Sequence, residues 1–587
     1  MSGIFAYTGK DGCRDYLLDG LERLSSRGNE ICGIAIKNDD DIELLKTKGA
    51  PPALREKADS LSETGNTGIA ECANASRCRA SAITACPAAN KQYAAAIDGE
   101  IENFEALRRW AKSSFPVATD EDLLLSMLNI MNNQSKLETV SKIASSLEGA
   151  PNFAFISSDE DCIYCHSGAN PLVIGIGDEG IFLSSELYAL IPFAKRYFRL
   201  ESGENARITA DRANVYDMNG RRIKKNYSSM PVNPVFENGF DFSNELFCCP
   251  LAVKDTLGTF IKRSSLTISG TGLKRIYDKT KRIILTGEGS SYYASLLAAN
   301  SFQVLCDIPS CAHIAGELRY SSEIYDKSTL LIAVSLRGEE ENTIACVKRA
   351  QSFGAKVIAV TSSSFSYLAS LADETLNPNC DFTSSGVSLR DFSSSLLSLI
   401  FLALFFGRKA GIVSELYLSV SLKLAEMLPG KVSYAVKSTP QSEAAAKALC
   451  EREKVFLTGL CTDYPLALEG AQKIRRIAKI NARAFPLSEL ADESADIIGG
   501  SLIFALITEK ELLAKALSKV RRLKSLGAEI IILTTANIEE EITDFENIIS
   551  FSDSVAMFNK IICAAGIYKI AVSADEIKNK SSAEEAV

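Results

Sequence analysis

Short runs of alternating apolar and polar residues dominate the first 228 positions of the chain. This alternation predicts β-strands, because side chains of a strand point to opposite faces in turn. The strands are expected at 2–7, 33–37, 93–97, 153–157 and 171–176. Between them lie stretches with helical spacing, such as 120–133. The pattern of residues 1–228 is therefore that of an α+β domain.

A break without periodicity follows this first region. Pro231, Pro234 and Gly239 lie close together there, and the sequence predicts an interdomain linker over 229–252. After the break, apolar strands alternate with amphipathic helices. Strands are expected at 283–285, 330–334 and 357–360, with helices at 292–305 and 343–353. This alternation is typical of a doubly wound α/β domain with a parallel sheet.

The strand–helix alternation then occurs a second time. Strands are expected at 455–459, 503–506, 530–533 and 548–551, with a helix beginning near Pro465. The repeat predicts two related α/β domains, at 253–425 and 440–575. The residues from 576 to 587 are mostly polar and are expected to form an irregular C-terminal tail.

Composition and charge narrow the functional classes. The 587 residues are 46% hydrophobic and carry a net charge of −9, without the clustered basic surface that nucleic-acid binding requires. The longest apolar run, 396–406, is about half of a membrane span and is expected to be a buried helix. No basic-then-apolar leader opens the chain. We therefore expect a cytoplasmic protein that binds neither nucleic acid nor membrane.

Cysteine and histidine residues point to no metal or cofactor. The 16 cysteines are scattered, without the paired spacing of a zinc site, and are expected to be reduced thiols. Cys162, Cys165 and His166 match the haem-attachment string CxxCH but lie in a strand-like run, so the match is interpreted as coincidence. The other histidine is His313, so no imidazole is available after that residue for acid–base catalysis.

Several short motifs extend over nearly the whole chain. The first half contains Ser2-Gly3-Ile4 at its start, LSSRG at 24–28, DGEIEN at 98–103 and TDED at 119–122. The second half contains GEGSSY at 287–292, ELRY at 317–320 and YPLALEGAQK at 464–473. With these motifs the chain resembles the glucosamine-6-phosphate synthases, or isomerising glutamine:fructose-6-phosphate aminotransferases. The resemblance implies an N-terminal-nucleophile glutaminase-like sandwich followed by two sugar-isomerase (SIS) domains.

The glutaminase positions implied by the resemblance are altered. Ser2 occupies the position of the family's nucleophilic cysteine, and an unassisted hydroxyl is a far weaker nucleophile near neutral pH. Ala73 replaces the arginine that grips glutamine, although Arg77 is an alternative from a neighbouring turn. Asp98 replaces the oxyanion-hole asparagine, where a carboxylate would oppose the developing charge. Gly99 and Asp120 match the family and are interpreted as a remnant of the glutamine site.

The sugar-phosphate positions are partly retained. The resemblance places Ser290, Ser291 and Ser335 where the family binds phosphate with hydroxyls and a helix N-terminus. Arg337 stands where the family has serine, and it is either a substitute phosphate ligand or is opposed by Glu340. Two interpretations stay open, namely retained sugar-phosphate binding and a loop that only inherits its serines.

The isomerase positions are altered as well. Asp492 replaces the ring-opening histidine, Arg476 replaces the proton-transferring glutamate, and Ser582 replaces the Schiff-base lysine. Lys473 matches a family lysine, and Lys580 lies two positions from the Schiff-base position. These changes predict a catalytically inactive relative that forms a homo-oligomer, a dimer or larger, with a structural, regulatory or sugar-phosphate-sensing role. The alternative is an active sugar-phosphate isomerase or aminotransferase with altered chemistry.

Overall fold

The fold is described from a computed structural model of the chain. The structure describes residues 2–585 except 26, 40, 62–64, 75–86, 112–116, 132–134, 231–241, 269, 271, 324, 381–386 and 438, and only the backbone of 581–585. The chain divides into two compact units, one of residues 1–239 with 383–386 and the other of residues 240–382 with 387–587.

The first unit contains fifteen strands and six α-helices among its described residues. The strands are β1 (Ser2–Gly9), β2 (Ile31–Asn38), β3 (Asp41–Lys48), β4 (Thr67–Ala73), β5 (Ala88–Ala89), β6 (Tyr93–Asp98), β7 (Asn152–Ser157), β8 (Glu160–Ser167), β9 (Leu172–Ile176), β10 (Gly180–Ser184), β11 (Arg196–Leu200), β12 (Glu204–Ile208), β13 (Ala213–Tyr216), β14 (Arg222–Ile223) and β15 (Ser228–Ser229). The helices are α1 (Arg14–Leu24), α2 (Pro51–Arg55), α3 (Phe104–Ala111), α4 (Asp120–Ile130), α5 (Lys136–Ser146) and α6 (Leu187–Leu190).

These strands form two antiparallel sheets that pack face to face. One has the order β15-β11-β9-β10-β1-β4-β2-β3 and the other β14-β13-β12-β8-β7-β6-β5. Residues such as Ile4 from the first sheet and Ala154 from the second share one core between the sheets. Helix α1 covers the outer face of the first sheet, and α3, α4 and α5 cover the outer face of the second. The unit is therefore a four-layer α/β/β/α sandwich, as the sequence predicts.

The second unit contains sixteen α-helices and twelve strands among its described residues. The helices are α7 (Phe242–Phe260), α8 (Leu273–Lys279), α9 (Ser290–Cys306), α10 (Ala315–Leu318), α11 (Glu341–Ser352), α12 (Tyr367–Leu371), α13 (Asp391–Ala410), α14 (Glu415–Glu426), α15 (Leu428–Ala435), α16 (Pro440–Cys450), α17 (Asp463–Ile477), α18 (Leu487–Leu490), α19 (Ala495–Ile498), α20 (Leu513–Ser525), α21 (Ala536–Glu539) and α22 (Ala556–Glu585). The strands are β16 (Ile261–Lys262), β17 (Ser265–Leu266), β18 (Arg282–Gly287), β19 (Ser310–Ile314), β20 (Thr329–Val334), β21 (Lys356–Val360), β22 (Glu374–Leu376), β23 (Val455–Gly459), β24 (Ala482–Pro486), β25 (Leu502–Ile507), β26 (Glu529–Thr535) and β27 (Ile548–Phe551).

Ten of these strands form two parallel sheets with the same topology. Their orders are β19-β18-β20-β21-β22 and β24-β23-β25-β26-β27, so in each sheet the first strand lies between the second and the third. Ligands of such folds bind at the carboxyl ends of the strands, where the strand order reverses between the first and third strands. Helices including α9, α13, α17 and α22 contribute to one large apolar cluster that the two sheets share.

Two described helices are long and apolar enough to cross a membrane, Asp391–Ala410 and Ala556–Lys580. In each, 83% of the apolar window is buried inside the protein, which is the packing expected of a core helix. The first contains the apolar run at 396–406, which the sequence predicts to be a buried helix. Of that run, Phe405 alone is half-buried and the others are buried.

The helices differ from the sequence prediction at two places. Residues 242–252, assigned to the linker, lie in α7, whose residues Leu246, Cys249, Val253 and Leu257 are buried at helical spacing despite Pro250. The tail was predicted to be irregular, and this is wrong, because α22 continues to residue 585. Ile577 packs against the large apolar cluster there, and Lys578 Nζ donates to the Ala478 carbonyl at 2.9 Å.

Candidate functional site

Ser2 opens β1, a central strand of the first sheet. Its Oγ donates a hydrogen bond to Asp98 Oδ1 at 3.2 Å, and both residues are buried. Asp98 reaches this position because it ends β6 in the opposite sheet, immediately before Gly99, whose φ of +129° favours glycine. The hydroxyl that would serve as the nucleophile therefore faces a carboxylate.

Arg27 joins Ser2 and Asp98 into one buried cluster. Its Nη2 donates to both carboxylate oxygens of Asp98 at 2.8 Å, and its Nε donates to the Ser2 carbonyl at 2.6 Å. Its Nη1 lies 3.4 Å from Glu186 Oε1. We call Ser2, Arg27, Asp98 and Glu186 the Ser2 cluster. The sequence motif at 24–28 contains Arg27 but does not indicate that its guanidinium neutralises Asp98.

In the Ser2 cluster, the carboxylates of Asp98 and Glu186 stabilise the positive charge of Arg27. Burial alone would lower the pKa of the Arg27 guanidinium, but the nearby charges of Asp98 and Glu186 outweigh it, and the net shift is upward. The side chains of Arg27 and Asp98 are only 10% and 6% exposed. The guanidinium is therefore held charged, and its donors are used by groups of the protein itself.

Of the other glutaminase positions, Ala73 lies beside Ser2, Asp120 begins α4, and Arg77 is not among the described residues. Ala73 is buried at the end of β4 and is the register partner of Ser2. Its backbone is approached so closely by Gly28 that a Cβ on Gly28 would lie 2.4 Å from Ala73 Cα. Asp120, the first residue of α4, accepts a hydrogen bond at Oδ2 from the Ile101 amide at 3.3 Å.

In the second unit, Ser290 and Lys473 are brought together. Ser290 begins α9 directly after the turn at Gly289, whose φ is +53°. Lys473 Nζ donates to Ser290 Oγ at 3.0 Å and to the Ser388 carbonyl at 2.6 Å. The same ammonium lies 3.4 Å from Glu469 Oε1. This arrangement places a cation at the N-terminus of α9 and at the carboxyl end of β18. The strand order of the sheet β19-β18-β20-β21-β22 reverses at this place.

Lys473 belongs to a network of polar groups that are mostly buried. Glu469 is fully buried, and its Oε1 accepts a hydrogen bond from the Tyr568 hydroxyl at 2.7 Å. Burial raises the pKa of Tyr568 well above its ordinary value, and the negative charge of Glu469 adds to that shift. Tyr568 therefore stays a hydrogen-bond donor. We call Ser290, Glu469, Lys473 and Tyr568 the Lys473 cluster.

The loop after β20 holds the other phosphate-binding candidates. Ser335 is buried, and its Oγ accepts a hydrogen bond from the Gly338 amide at 2.8 Å within the same turn. Arg337 and Ser291 are half-buried. Glu340 is the N-cap residue of α11, so its carboxylate lies in the same loop as Arg337. Ser335 and Ser290 follow the neighbouring strands β20 and β18.

The altered isomerase positions do not join the Lys473 cluster. Arg476 is exposed on α17, and Asp492 is exposed, with Oδ1 3.7 Å from Arg522 Nη1. Lys580 is exposed near the end of α22, and the side chain of Ser582 lies outside the described residues. Of the isomerase positions whose side chains the structure describes, Lys473 is thus the one that is buried and lies beside Ser290.

The histidine-containing CxxCH string lies in β8, where Cys162, Cys165 and His166 are all buried. His166 Nδ1 is 2.7 Å from Asn205 Oδ1, and burial lowers the pKa of the imidazole. Among the described residues, no group of three or more His, Cys, Asp and Glu side chains could hold a metal ion.

Comparison with known proteins relates about nine-tenths of the chain to one group of enzymes. The SIS domain family model matches residues 276–406. The glutamine–fructose-6-phosphate aminotransferase (isomerising) of Clostridium acetobutylicum is 28% identical over 548 residues, 90% of each chain. That of Haemophilus influenzae is 27% identical over 546 residues, covering 90% of this chain and 89% of its own.

A solved structure supports the fold of the second unit. The C-terminal domain of the glucosamine–fructose-6-phosphate aminotransferase of Francisella tularensis superposes with a TM-score of 0.54 at 19% identity, covering 58% of this chain and 98% of its own. With this fold, the SIS match and relatives aligned over 90% of its length, the chain is a divergent relative of the isomerising glutamine–fructose-6-phosphate aminotransferases.

Proposed function

We propose that this chain is a catalytically inactive relative of these aminotransferases. In this proposal it lacks glutaminase and synthase activity and acts in the cytoplasm as a homo-oligomeric structural, regulatory or sugar-phosphate-sensing protein. The observation that carries the proposal is the Ser2 cluster, in which the candidate nucleophile donates to Asp98 and Asp98 is paired with Arg27.

The chemistry of the Ser2 cluster opposes glutamine hydrolysis at two steps. A serine hydroxyl needs a base to become a nucleophile, and here its hydrogen bond goes to a carboxylate whose charge Arg27 already neutralises. The oxyanion forms on the substrate carbonyl that Ser2 attacks, and the ionised Asp98 carboxylate, paired with Arg27, has no hydrogen to donate to it. The family's asparagine would instead donate a hydrogen bond, whose loss alone costs about 3–4 kcal/mol.

Substrate binding is weakened as well. The resemblance places Ala73 at the position of the arginine that pairs with the carboxylate of glutamine. Ala73 is buried at the strand end, and its methyl group can form no hydrogen bond. Removing one partner of such a charge pair costs on the order of 2–5 kcal/mol. The retained Asp120 addresses only the amine of the substrate.

The synthase half lacks its proton-transfer groups near Lys473. Arg476 and Asp492 are exposed, and the Lys473 ammonium is held by Ser290, the Ser388 carbonyl and Glu469. A charged, hydrogen-bonded ammonium is not a nucleophile toward a sugar carbonyl until it loses a proton. This favours a binding role over aminotransfer.

The proposed sugar-phosphate sensing depends on Ser290 and Lys473 acting as a binding site. Ser290 begins α9, so the backbone amides of the first helical turn and the Lys473 ammonium lie at the carboxyl end of β18, where the strand order of that sheet reverses. Amides at a helix N-terminus and a cation together favour an anion. A phosphate would displace Ser290 from Lys473 and take up both donors.

Self-association rests on an exposed apolar face of the second unit. Helix α7 exposes Phe247 and Leu251, and α14 exposes Leu416 and Val420, each pair one helical turn apart. Helix α15, which contacts α7 and α14, exposes Tyr434. Exposed apolar patches of this kind are typical of protein–protein contacts. The proposal predicts that Leu416→Asp shifts the protein toward monomer in sedimentation, with Ile130→Asp as the control from the first unit.

A second candidate function is favoured by the pairing of Lys473 and Glu469. A buried amine 3.4 Å from a carboxylate is also the arrangement of a base beside a Schiff-base lysine. The chain would then be a sugar-phosphate isomerase or aminotransferase with altered chemistry. Borohydride trapping of a covalent adduct with fructose 6-phosphate, lost in Lys473→Gln, would favour this candidate over the inactive one.

The experiment that tests the proposal measures formation of glucosamine 6-phosphate from glutamine and fructose 6-phosphate, with calorimetry in parallel. We expect no product, and heat from fructose 6-phosphate that is lost in the Ser290→Ala/Ser291→Ala variant. Product formation at enzyme-like rates would contradict the inactive assignment. Absence of heat at millimolar fructose 6-phosphate would remove the sensing role.

A further inference from the structure

In each parallel sheet of the second unit the strand order reverses between the first and the third strand, and we call this place the switch point. The phosphate-binding motifs of the sequence lie at the switch point of the sheet that contains β18. At the second switch point, in the other sheet, α17 begins at Asp463 after β23, and Thr508 directly follows β25. These positions correspond in topology to Ser290 after β18 and Ser335 after β20. The start of α9 contacts Gln472 and Lys473 within α17. Conversely, the start of α17 faces the middle of α9.

A cavity of about 330 Å³ lies at this second switch point. Asn300 and Ser301 of α9 line it together with Cys461 and Thr462 of the turn before α17. Its apolar wall is formed by helices α9, α13 and α22, with Leu297, Val304, Leu396, Ile400 and Met557. We call this the Thr462 cavity. Its size is at the lower end of small-molecule sites, and an apolar wall with a few polar groups at one end is typical of them.

Glu509 and Lys560 line the polar end of the Thr462 cavity, and Lys560 is also paired with Asp463, which does not line it. Lys560 Nζ donates to Asp463 Oδ1 at 2.5 Å, Thr508 Oγ1 at 2.6 Å and Glu509 Oε1 at 3.2 Å. An ammonium has three donors, so these three contacts use all of them. Two carboxylates thus face one cation, and an anionic ligand would find no donor on Lys560.

Asp463 takes the place that an anion would occupy at the start of α17. Its Oδ2 accepts from the Thr508 amide at 3.0 Å, while Oδ1 accepts from the Thr508 hydroxyl and Lys560. Burial alone would lower the pKa of Lys560, but the charges of Asp463 and Glu509 raise it overall. The second switch point therefore holds two carboxylates and one cation, whereas the first holds Lys473 with the single carboxylate of Glu469.

Thr462 supplies an unused polar group. Its Oγ1 is buried and has no hydrogen-bond partner among the described residues, although Thr462 lines the cavity. A buried hydroxyl without a partner costs about 1–3 kcal/mol, which a ligand can recover once the Thr462 side chain rotates about χ1 to present the hydroxyl to the cavity. Glu509 also lines the cavity and is 18% exposed at its side chain, so its carboxylate is accessible from there.

We propose that the Thr462 cavity is a second ligand site, for a small organic ammonium ion with an apolar body. The ammonium would donate to the Glu509 carboxylate and, after rotation of the Thr462 side chain about χ1, to the Thr462 hydroxyl. The apolar body would contact the wall formed by α9, α13 and α22. The ligand class follows from the carboxylate excess, the buried hydroxyl and the apolar lining. The inference is independent of the function proposed for the Ser2 and Lys473 clusters.

The test is calorimetry of the full chain with three six-carbon probes at neutral pH: n-hexylammonium chloride, n-hexanol and sodium hexanoate. We expect hexylammonium to bind most tightly and hexanoate not at all. Glu509→Gln should weaken hexylammonium binding about tenfold, equivalent to about 1.4 kcal/mol, and hexanol binding less than about twofold. Glu511→Gln, an exposed position beside the cavity residues, should change neither.

Thr462→Val keeps the shape of the side chain, so it tests the same contact even if Glu509→Gln does not fold. It should weaken hexylammonium binding by about threefold or more, since it removes one acceptor. The proposal is overturned if the wild type shows no heat with about 10 mM hexylammonium. It is also overturned if hexanoate binds as tightly as hexylammonium, or if neither substitution changes the affinity for hexylammonium.

Discussion

Substitution of Arg27 by methionine would leave the carboxylates of Asp98 and Glu186 buried without the guanidinium that bridges them. The side chains of Arg27, Asp98 and Glu186 are 10%, 6% and 6% exposed, so solvent screens little of the lost attraction. Removing one partner of a buried ion pair costs about 3–5 kcal/mol. The Ser2 carbonyl would also lose its 2.6 Å hydrogen bond to Arg27 Nε.

We therefore expect Arg27→Met to lower the free energy of unfolding of the first unit by about 4 kcal/mol. For a unit of this size the melting temperature should fall by roughly 10 °C. Denaturant unfolding followed by circular dichroism measures the first quantity, and hydrogen exchange localises the loss to β1 and β6. Arg108→Met is the matched control, because Arg108 and Glu105 are 52% and 60% exposed and such a pair contributes at most about 1 kcal/mol.

A double-mutant cycle separates charge from packing. Asp98→Asn in the Arg27→Met background removes one of the two unpaired carboxylates, so the double variant should recover about 2 kcal/mol relative to Arg27→Met alone. The reasoning is refuted if Arg27→Met loses less than about 1 kcal/mol, or if the losses of the two single variants simply add.

Three further predictions follow from the geometry. Gly28→Ala should destabilise the first unit by about 3 kcal/mol in denaturant unfolding, because its Cβ would lie 2.4 Å from the Ala73 backbone; unchanged stability would contradict this close approach. Burial lowers the pKa of His166 in the folded state, so unfolding takes up a proton below about pH 6.5 and stability should fall with acidification, by at most ~1.4 kcal/mol per pH unit. Unfolding measured from pH 7 to 5 should show a shallower slope in His166→Gln than in His313→Gln, and equal slopes would contradict the assignment. Lys560→Met should lower the free energy of unfolding of the second unit by about 3–5 kcal/mol, and a loss below about 1 kcal/mol would show that its carboxylate partners do not depend on it.

The periodicity of the sequence predicts most of the fold, because local patterns of apolar and polar residues determine most of the strands and helices. The strands of both parallel sheets alternate with helices at short range, and the repeated alternation predicts two related sheets, which the identical strand orders confirm. The pattern failed for 242–252 and for the tail. The linker prediction extends from Pro231, Pro234 and Gly239 into 242–252, and the tail is polar, yet tertiary packing of residues such as Leu246 and Ile577 stabilises helices in both places.

The sites were less predictable because their contacts join distant parts of the chain. The motifs place Ser2 and Asp98 in one family site, but the neutralising role of Arg27 depends on how β6 meets the start of β1. The pairing of Lys473 with Ser290 likewise depends on packing between α9 and α17. No motif predicts the Thr462 cavity, because its wall comes from helices more than 150 residues apart in sequence, α9 and α22.

The catalytic inactivity of the Ser2 cluster is tested most directly by ammonia release from glutamine, measured for the wild type and for Ser2→Ala under the same conditions. The account predicts that the two proteins release ammonia at the same background rate, because the hydroxyl of Ser2 faces Asp98 and this carboxylate has no hydrogen to donate to the oxyanion. Turnover by the wild type at about 1 s⁻¹ or faster, abolished in Ser2→Ala, would contradict it.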